Sequence, residues 1–265
     1  MKVAPGAWRY TIVPLAAAPF AVIFSVGASI ALLVLSLAII AFFRDPDRTP
    51  PPSGVVAPAD GTVSVLRPEG DRFRVGTFMN VHNVHVVRSP FEGTVREVER
   101  EPGGYKPAFS KDSDMNEKVH VRLEVNPSSF ESSFDVTGQT RGVSDTGADA
   151  RLDDVYRERE ADSRETNDVS RDADDATGDT KTEREPVTAD VTFIAGAFAR
   201  RIHPYVEPGD TLERGERIGH IAFGSRVDVL FPPGIDDDDI AVDMGDSMRA
   251  GETVILQPIE YEQVP

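Results

Sequence analysis

The sequence predicts a mainly β (α+β) protein: a mixed, mostly antiparallel β-sheet body with an N-terminal transmembrane helical hairpin and a disordered acidic insertion. Three observations predict it. Short β-prone runs separated by turn residues fill most of the chain, no charged residue occurs from Thr11 to Phe43, and residues 128–186 are too polar to bury a core. With 265 residues and 40% hydrophobic content, there is room for one sizeable core domain plus attachments.

The first attachment, residues 1–48, reads as a membrane segment. At about 1.5 Å per residue the charge-free run would measure roughly 50 Å, against a hydrocarbon core of about 30 Å. Pro14, Pro19 and Gly27 offer bending points, so two short helices turning near Ser25 to Ser29 fit better than one tilted helix. Lys2 and Arg9 precede the run and Arg44 and Arg48 follow it. Positive residues on both flanks put both ends of such a hairpin, and the body with them, on the cytoplasmic side of a cell membrane. A cleavable signal peptide is the competing reading. The run is too long for one, and Arg44-Asp-Pro-Asp-Arg48 follows where a small-residue cleavage site would stand.

The second attachment, residues 128–186, is dominated by Asp, Glu, Arg, Ser and Thr, with Leu152, Val155 and Tyr156 among its few large apolar residues. It reads as a solvated insertion in a surface loop, which leaves 49–127 and 187–265 as the body. The formal charge of −17 argues against binding nucleic acid through bulk charge. An acid-rich, lysine-poor chain also fits adaptation to high salt, where screening makes self-repulsion tolerable. Cysteine is absent, which excludes a disulfide framework, a thiolate metal site and a cysteine nucleophile.

In the body, strands are predicted at Val55-Val56, Gly61 to Leu66, Phe73 to Phe78, Val84 to Arg88, Gly93 to Val98, Val119 to Val125, Val191 to Ile194, Ile218 to Phe223, Val227 to Phe231 and Thr253 to Gln257, with a minor helix near Phe193 to Arg200. Two patterns repeat. Pro58-Ala-Asp-Gly61-Thr-Val returns as Pro90-Phe-Glu-Gly93-Thr-Val, and Val206-Glu-Pro-Gly-Asp210…Gly215-Glu216 returns as Val242-Asp-Met-Gly-Asp246…Gly251-Glu252. Each echo reads as a hairpin-forming unit with glycine supplying positive φ at the turn. Such turns also resemble those of lipoyl- and biotin-carrier sandwiches, but those present a modifiable lysine and none follows Lys181.

Three segments carry candidate chemistry. In Phe223-Gly224-Ser225-Arg226-Val227-Asp228-Val229, a Gly-Ser pair stands between two β-prone runs; on its own the dipeptide is an ordinary turn. Glycine would leave the carbonyl of residue 224 sterically open to attack by the next hydroxyl. Met79 to Pro90 holds His82 and His85. Three apart on a strand, they would face opposite sides, which disfavours a His-x-x-His metal pair, and either could be structural. In Val56-Ala-Pro-Ala-Asp60-Gly61 an acid precedes a turn glycine, again a common turn by itself.

Together these segments resemble the phosphatidylserine decarboxylase family, especially its short, membrane-linked bacterial and archaeal branch, the archaetidylserine decarboxylase proenzymes included. The ordered match comprises Phe42-Phe43-Arg44-Asp45-Pro46, Pro58-Ala-Asp60-Gly61, Asn83-Val-His85-Val, Asn116-Glu117, Ala199-Arg200-Arg201-Ile202, Gly215-Glu216-Arg217-Ile218-Gly219 and Phe223-Gly224-Ser225-Arg226-Val227-Asp228. It departs from the family at Asn80-Val81-His82, where short members read Ser-Pro before the Asn-Val-His element, and at Arg88, where long relatives carry a second histidine.

The resemblance implies self-cleavage at 224/225 into a β chain 1–224 and an α chain 225–265 that stay associated. Ser225 Oγ would attack the Gly224 carbonyl to give an ester, with His85 as base and Asp60 orienting its imidazole. β-Elimination and hydrolysis would then convert Ser225 into a pyruvoyl group, covalent pyruvate, whose ketone condenses with the substrate amine and serves as electron sink when CO₂ departs. His85 would return the proton to carbon. The implied substrate is a serine phospholipid, phosphatidylserine or archaetidylserine, and the product its ethanolamine counterpart; no metal takes part. The rival reading is a membrane-tethered β-domain that binds lipid or a protein partner without chemistry, and it predicts an unmodified serine at 225. A metal hydrolase is a third option, for which His120, His203 and His220 stand isolated in the sequence.

Overall fold

The computed structural model describes residues 2–106, 115–125, 187–197, 201–222 and 225–256. These belong to one compact unit formed by residues 1–135 and 185–265. The acidic insertion at 128–186, the last part of the helix expected up to Arg200, and the residues Phe223 and Gly224 lie outside the described residues.

The apolar run folds into two helices, α1 (Ala7–Ala21) and α2 (Val26–Phe42), packed against each other. The turn falls at 22–25, slightly ahead of the expected position, because Ser25 adopts an extended conformation and caps α2, its Oγ accepting from the Ala28 amide. Two short strands, β1 (Lys2–Val3) and β2 (Arg44–Asp45), pair antiparallel and close the base of the hairpin. The small or polar residues Thr11, Pro14, Ala18, Ser29 and Ser36 are buried, while Trp8, Ile12, Phe20, Ile23, Phe24 and Leu37 are exposed. The buried hydroxyls are satisfied inside their own helices, Thr11 by the Ala7 carbonyl and Ser36 by that of Leu32. The pair is therefore polar where it packs and apolar outside, the reverse of a helix pair made for water. No helix among the described residues is long and apolar enough to cross a membrane.

The body is built on an eight-stranded sheet. Its strands are β4 (Gly61–Glu69), β5 (Arg72–Met79), β7 (Gly93–Glu101), β8 (Lys118–Val125), β9 (Val187–Ile194), β11 (Thr211–Leu212), β13 (Ser225–Leu230) and β14 (Ser247–Met248). They run in the order β11-β7-β8-β9-β13-β5-β4-β14. A three-stranded sheet orders β10 (Ile202–Pro204), β12 (Arg217–Ile221) and β6 (Val86–Arg88) as β10-β12-β6, and β3 (Val55–Val56) pairs with β15 (Val254–Leu256). Alternation along the large sheet sends Val75, Val121, Phe193, Val227 and Val229 into one core, which sets the register of each strand.

The two sequence echoes pair with each other. Gly61-Thr-Val63 runs beside Gly245-Asp246 and Ser247-Met248, with Gly245 N–H donating to the Val63 carbonyl and Val63 N–H to that of Asp246. Gly93-Thr-Val95 runs beside Gly209-Asp210 and Thr211-Leu212 through the same pair of bonds. Gly209 and Gly245 take φ of 99° and 95°, as the turn reading requires. Gly61 and Gly93 are glycine for a different reason: a Cβ would stand 2.1 Å from the Phe78 carbonyl oxygen or 2.3 Å from that of Glu124.

Four expectations are corrected. The mostly antiparallel sheet is as expected, but among the described residues its mixed character shrinks to one isolated parallel bridge, Gly104 to Asn116, while every named strand pair is antiparallel. Phe193 and Ile194 end β9 and do not start a helix, since both are tied into ladders with β8 and β13. The strand expected from Val84 begins at Val86, so His82 and His85 precede it and the opposite-face argument for that pair does not apply. Ser225 is the first residue of β13, not part of a turn between strands.

Candidate functional site

Ser225 pairs in register with Met79, the last residue of β5. The sheet's alternation turns its side chain to the core face shared with Val227 and Thr77, so Ser225 is fully buried. Among the described residues its Oγ has no hydrogen-bond partner. A buried hydroxyl of this kind forgoes the bond it would make in water, which costs about 1–3 kcal/mol and marks the position as one shaped by something other than stability.

From the Ser225–Met79 pair the chain makes two excursions that face each other. One runs from Met79 through residues 80–84 to His85; on the other side Ile221, four residues before Ser225 in the sequence, donates its N–H to the His85 carbonyl at 3.1 Å. His85 is buried, and its Nδ1 lies 2.9 Å from the Asn83 carbonyl oxygen. A carbonyl can only accept, so Nδ1 carries the proton and Nε2 the lone pair. Burial pushes the imidazole down to about 4, the bond to Asn83 opposing and the charges of Arg44 and His82 adding to the fall. At neutral pH His85 is an uncharged base. His82 is exposed in the turn, and its carbonyl accepts from Arg44 at 2.6 Å.

Asp60 is not brought to His85. Its carboxylate accepts from Arg48 Nη2 at 3.0 and 3.3 Å and from the Ala250 amide at 2.8 Å, and Arg48 also bonds Glu252. Among the described residues no hydrogen bond joins Asp60 to the imidazole, whose Nδ1 faces the Asn83 carbonyl instead. The cause lies in the Arg44-Asp-Pro-Asp-Arg48 stretch, whose Asp45 and Arg48 side chains pair with groups of the body. Asp45 is buried between Arg88 and Arg217, and Arg48 reaches Asp60 across the same joint.

Sequence reasoning missed a second imidazole. β10 and β12 pair His203 with His220, whose rings stack at 4.6 Å and 14°. The Tyr205 hydroxyl lies 2.7 Å from His220 Nδ1, and burial raises its pKa, keeping it protonated. Burial also pushes His220 down to about 4, with the charges of His203 and His85 adding. His85 and His220 line one narrow cleft together with Phe42, Phe43 and Arg44 from the end of the hairpin. Spacing on β10 offered a clue, since His203 and Tyr205 stand two apart as neighbours on one strand face do, but nothing in the sequence said that His220 lay opposite.

The opposite face of β13 is of a different character. Asp228 is fully buried and accepts from Arg226 at 2.8 and 3.0 Å and from Arg74 at 3.0 Å. These arginines help line a groove of about 480 Å³ with Arg67, Glu69, Lys118 and His120. Its lining is largely tied up in ion pairs, and by register it lies behind the sheet from the Ser225 side chain.

Comparison with known proteins matches residues 35–136 and 176–256 to the model of the phosphatidylserine decarboxylase family. A protein of Halobacterium salinarum named "Putative archaetidylserine decarboxylase proenzyme" is 40% identical over 254 residues, 96% of this chain and 97% of its own length. The phosphatidylserine decarboxylase proenzyme of Thermobifida fusca is 36% identical over 259 residues, covering 95% of this chain and 91% of its own. No solved structure matches the chain.

Proposed function

Because the chain belongs to the phosphatidylserine decarboxylase family, and so is a decarboxylase of phospholipid synthesis made as a proenzyme, we propose that it cuts itself between Gly224 and Ser225 and works through a pyruvoyl group formed from Ser225. The observation that carries this reading is the Ser225 Oγ itself, fully buried at the head of β13, without a hydrogen-bond partner among the described residues, and next in sequence to Gly224. The fit to a residue that ends as a keto group is chemical: the site supplies no donor or acceptor that conversion of this hydroxyl would orphan.

In the proposed self-cleavage, the Oγ–H proton passes to His85 as oxygen attacks the Gly224 carbonyl carbon, and His85 returns it to the Ser225 nitrogen as the C–N bond breaks, leaving an ester and a free amine. His85 suits the task because burial holds it neutral with its lone pair on Nε2. Asp60 enters more narrowly than expected, as the anchor that holds Arg48 and the Ala250 amide near this end of the body. When present, the pyruvoyl group supplies an electron sink for loss of CO₂ from an amino acid headgroup. His85 is the proposed donor of the proton that replaces the carboxylate.

The substrate is read as a serine phospholipid. The archaeal relative's name and the acid-rich composition together favour archaetidylserine, in a cell living at high salt. The apolar exterior of the helix pair supports a place in the cell membrane, with the body on its cytoplasmic side.

The test is a gel and a mass spectrum. Purified protein should run as fragments 1–224 and 225–265, the smaller with a blocked, amine-free terminus, and Ser225→Ala should stay whole and inactive. An intact wild-type chain that decarboxylates would refute the reading. His85→Ala should abolish cleavage or slow it severely. Asp60→Asn should slow it less; a complete block by Asp60→Asn would instead restore the Ser-His-Asp arrangement.

A further inference from the structure

In this acidic chain the arginines near the site are held by carboxylates: Arg48 by Asp60 and Glu252, Arg88 and Arg217 by Asp45. Arg44 is different. Its Nη1 donates to the Ala41 carbonyl at 2.9 Å and its Nη2 to the His82 carbonyl at 2.6 Å, and among the described residues it has no carboxylate partner. Two of five N–H groups are thus used, both by neutral acceptors that fix the guanidinium in place without neutralising it.

Its position adds to this. Arg44 follows directly on the cap of α2, at the junction between the apolar hairpin and the body, and lines the cleft that holds His85, where its charge is felt by the imidazole. Arg9 and Arg201 also lack carboxylate partners among the described residues, and the charges of both bear on His203, which stacks on the cleft residue His220. A positive corner thus sits beside the apolar exterior of a molecule whose formal charge is −17.

We propose that Arg44 anchors the phosphodiester of the substrate lipid at the junction between the helix pair and the body, on the rim of the crevice that holds His85. This deepens the decarboxylase reading and rests on it for the identity of the headgroup. A guanidinium pre-positioned by two backbone bonds can offer its remaining N–H groups to two phosphate oxygens at once, whereas an ammonium would act as a point charge.

Binding to the full-length Ser225→Ala chain tests this without any chemistry at residue 225, so a failure of self-cleavage would not be mistaken for a failure here. The probes are glycerophosphoserine, the phosphate-free O-methylserine, inorganic phosphate, and vesicles of anionic phosphatidylglycerol. Arg44→Gln should weaken glycerophosphoserine by about tenfold or more, leave O-methylserine and vesicle binding unchanged, and be partly rescued by Arg44→Lys. In the cut enzyme the same change should raise KM about tenfold with kcat nearly constant. The proposal is overturned if the Ser225→Ala chain does not bind glycerophosphoserine, or if Arg44→Gln binds it normally. Equal loss of O-methylserine or vesicle binding also overturns it, because Arg44 would then support the fold or a bulk membrane surface. Inorganic phosphate binding as tightly as glycerophosphoserine would assign the site to the free anion and overturn the headgroup assignment.

Discussion

The ring of Phe42, the last residue of α2, lies 4.5 Å from the imidazole of His85, tilted by 34°. Phe43 stacks on Tyr10 at 5.7 Å and meets His220 edge-on at 6.2 Å. The hairpin is therefore part of the wall around both buried imidazoles, and the helix end contributes to the burial that makes His85 a neutral base.

Phe42→Ala should admit water to His85 and let its pKa climb from about 4 back toward 6.5. Wild-type self-cleavage should be nearly flat from pH 5 to 8; in the variant it should fall off on the acid side, with an inflection between pH 5 and 6.5. Cleavage rates followed on gels across pH 4–8 decide it, and identical profiles would mean that Phe42 does not shield the base.

Stability should rise with pH between about 4 and 6.5. His85 and His220 are both depressed to about 4, so in that window the unfolded chain binds protons that the folded chain refuses. From pH 7 to 5 the loss should be on the order of 2 kcal/mol for each histidine at most, since one pKa unit corresponds to about 1.4 kcal/mol. Urea midpoints at the two pH values measure it, and the His85→Gln, His220→Phe double variant should be much less pH-sensitive.

Ser225→Ala should abolish self-cleavage without destabilising the fold. Its hydroxyl has no partner to lose among the described residues, so the uncut variant should melt cooperatively, at or above the melting temperature of the cut wild type. Thermal melts beside the gel separate this from a variant that fails to cut because it fails to fold.

Asp228→Asn should be costly by a different route. The carboxylate is fully buried between Arg226 and Arg74, and removing its charge leaves two guanidinium groups poorly compensated, at a cost of about 3–5 kcal/mol. A denaturant midpoint unchanged from wild type would show that other groups carry those charges.

The long strands were legible because each has one face in the core: β8 alternates buried and less buried residues from Lys118 to Val125, and that period survives in the sequence. Strands of two or three residues such as β10, β11 and β14 are too short to show a period, so the pairing of His203 with His220 could not be foreseen. Ser225 was legible through the motif around it, but its place inside β13 was not, because Gly224 reads locally as a turn. Asp60 misled for a related reason. In the sequence its partner Arg48 reads only as a positive flank of the apolar run, and only tertiary packing brings that side chain to Asp60.

The location of β13 decides what the proposed scission does to the molecule. It sits in the middle of the large sheet, laddered to β9 on one side and β5 on the other, while β14 and β15 grip β4 and β3 farther along. A nick ahead of Ser225 would free the tip of this segment but leave it dovetailed into its larger companion. Dilution should not separate the two pieces, and the active species would wear out by wholesale unravelling, after which the severed backbone could not be rejoined.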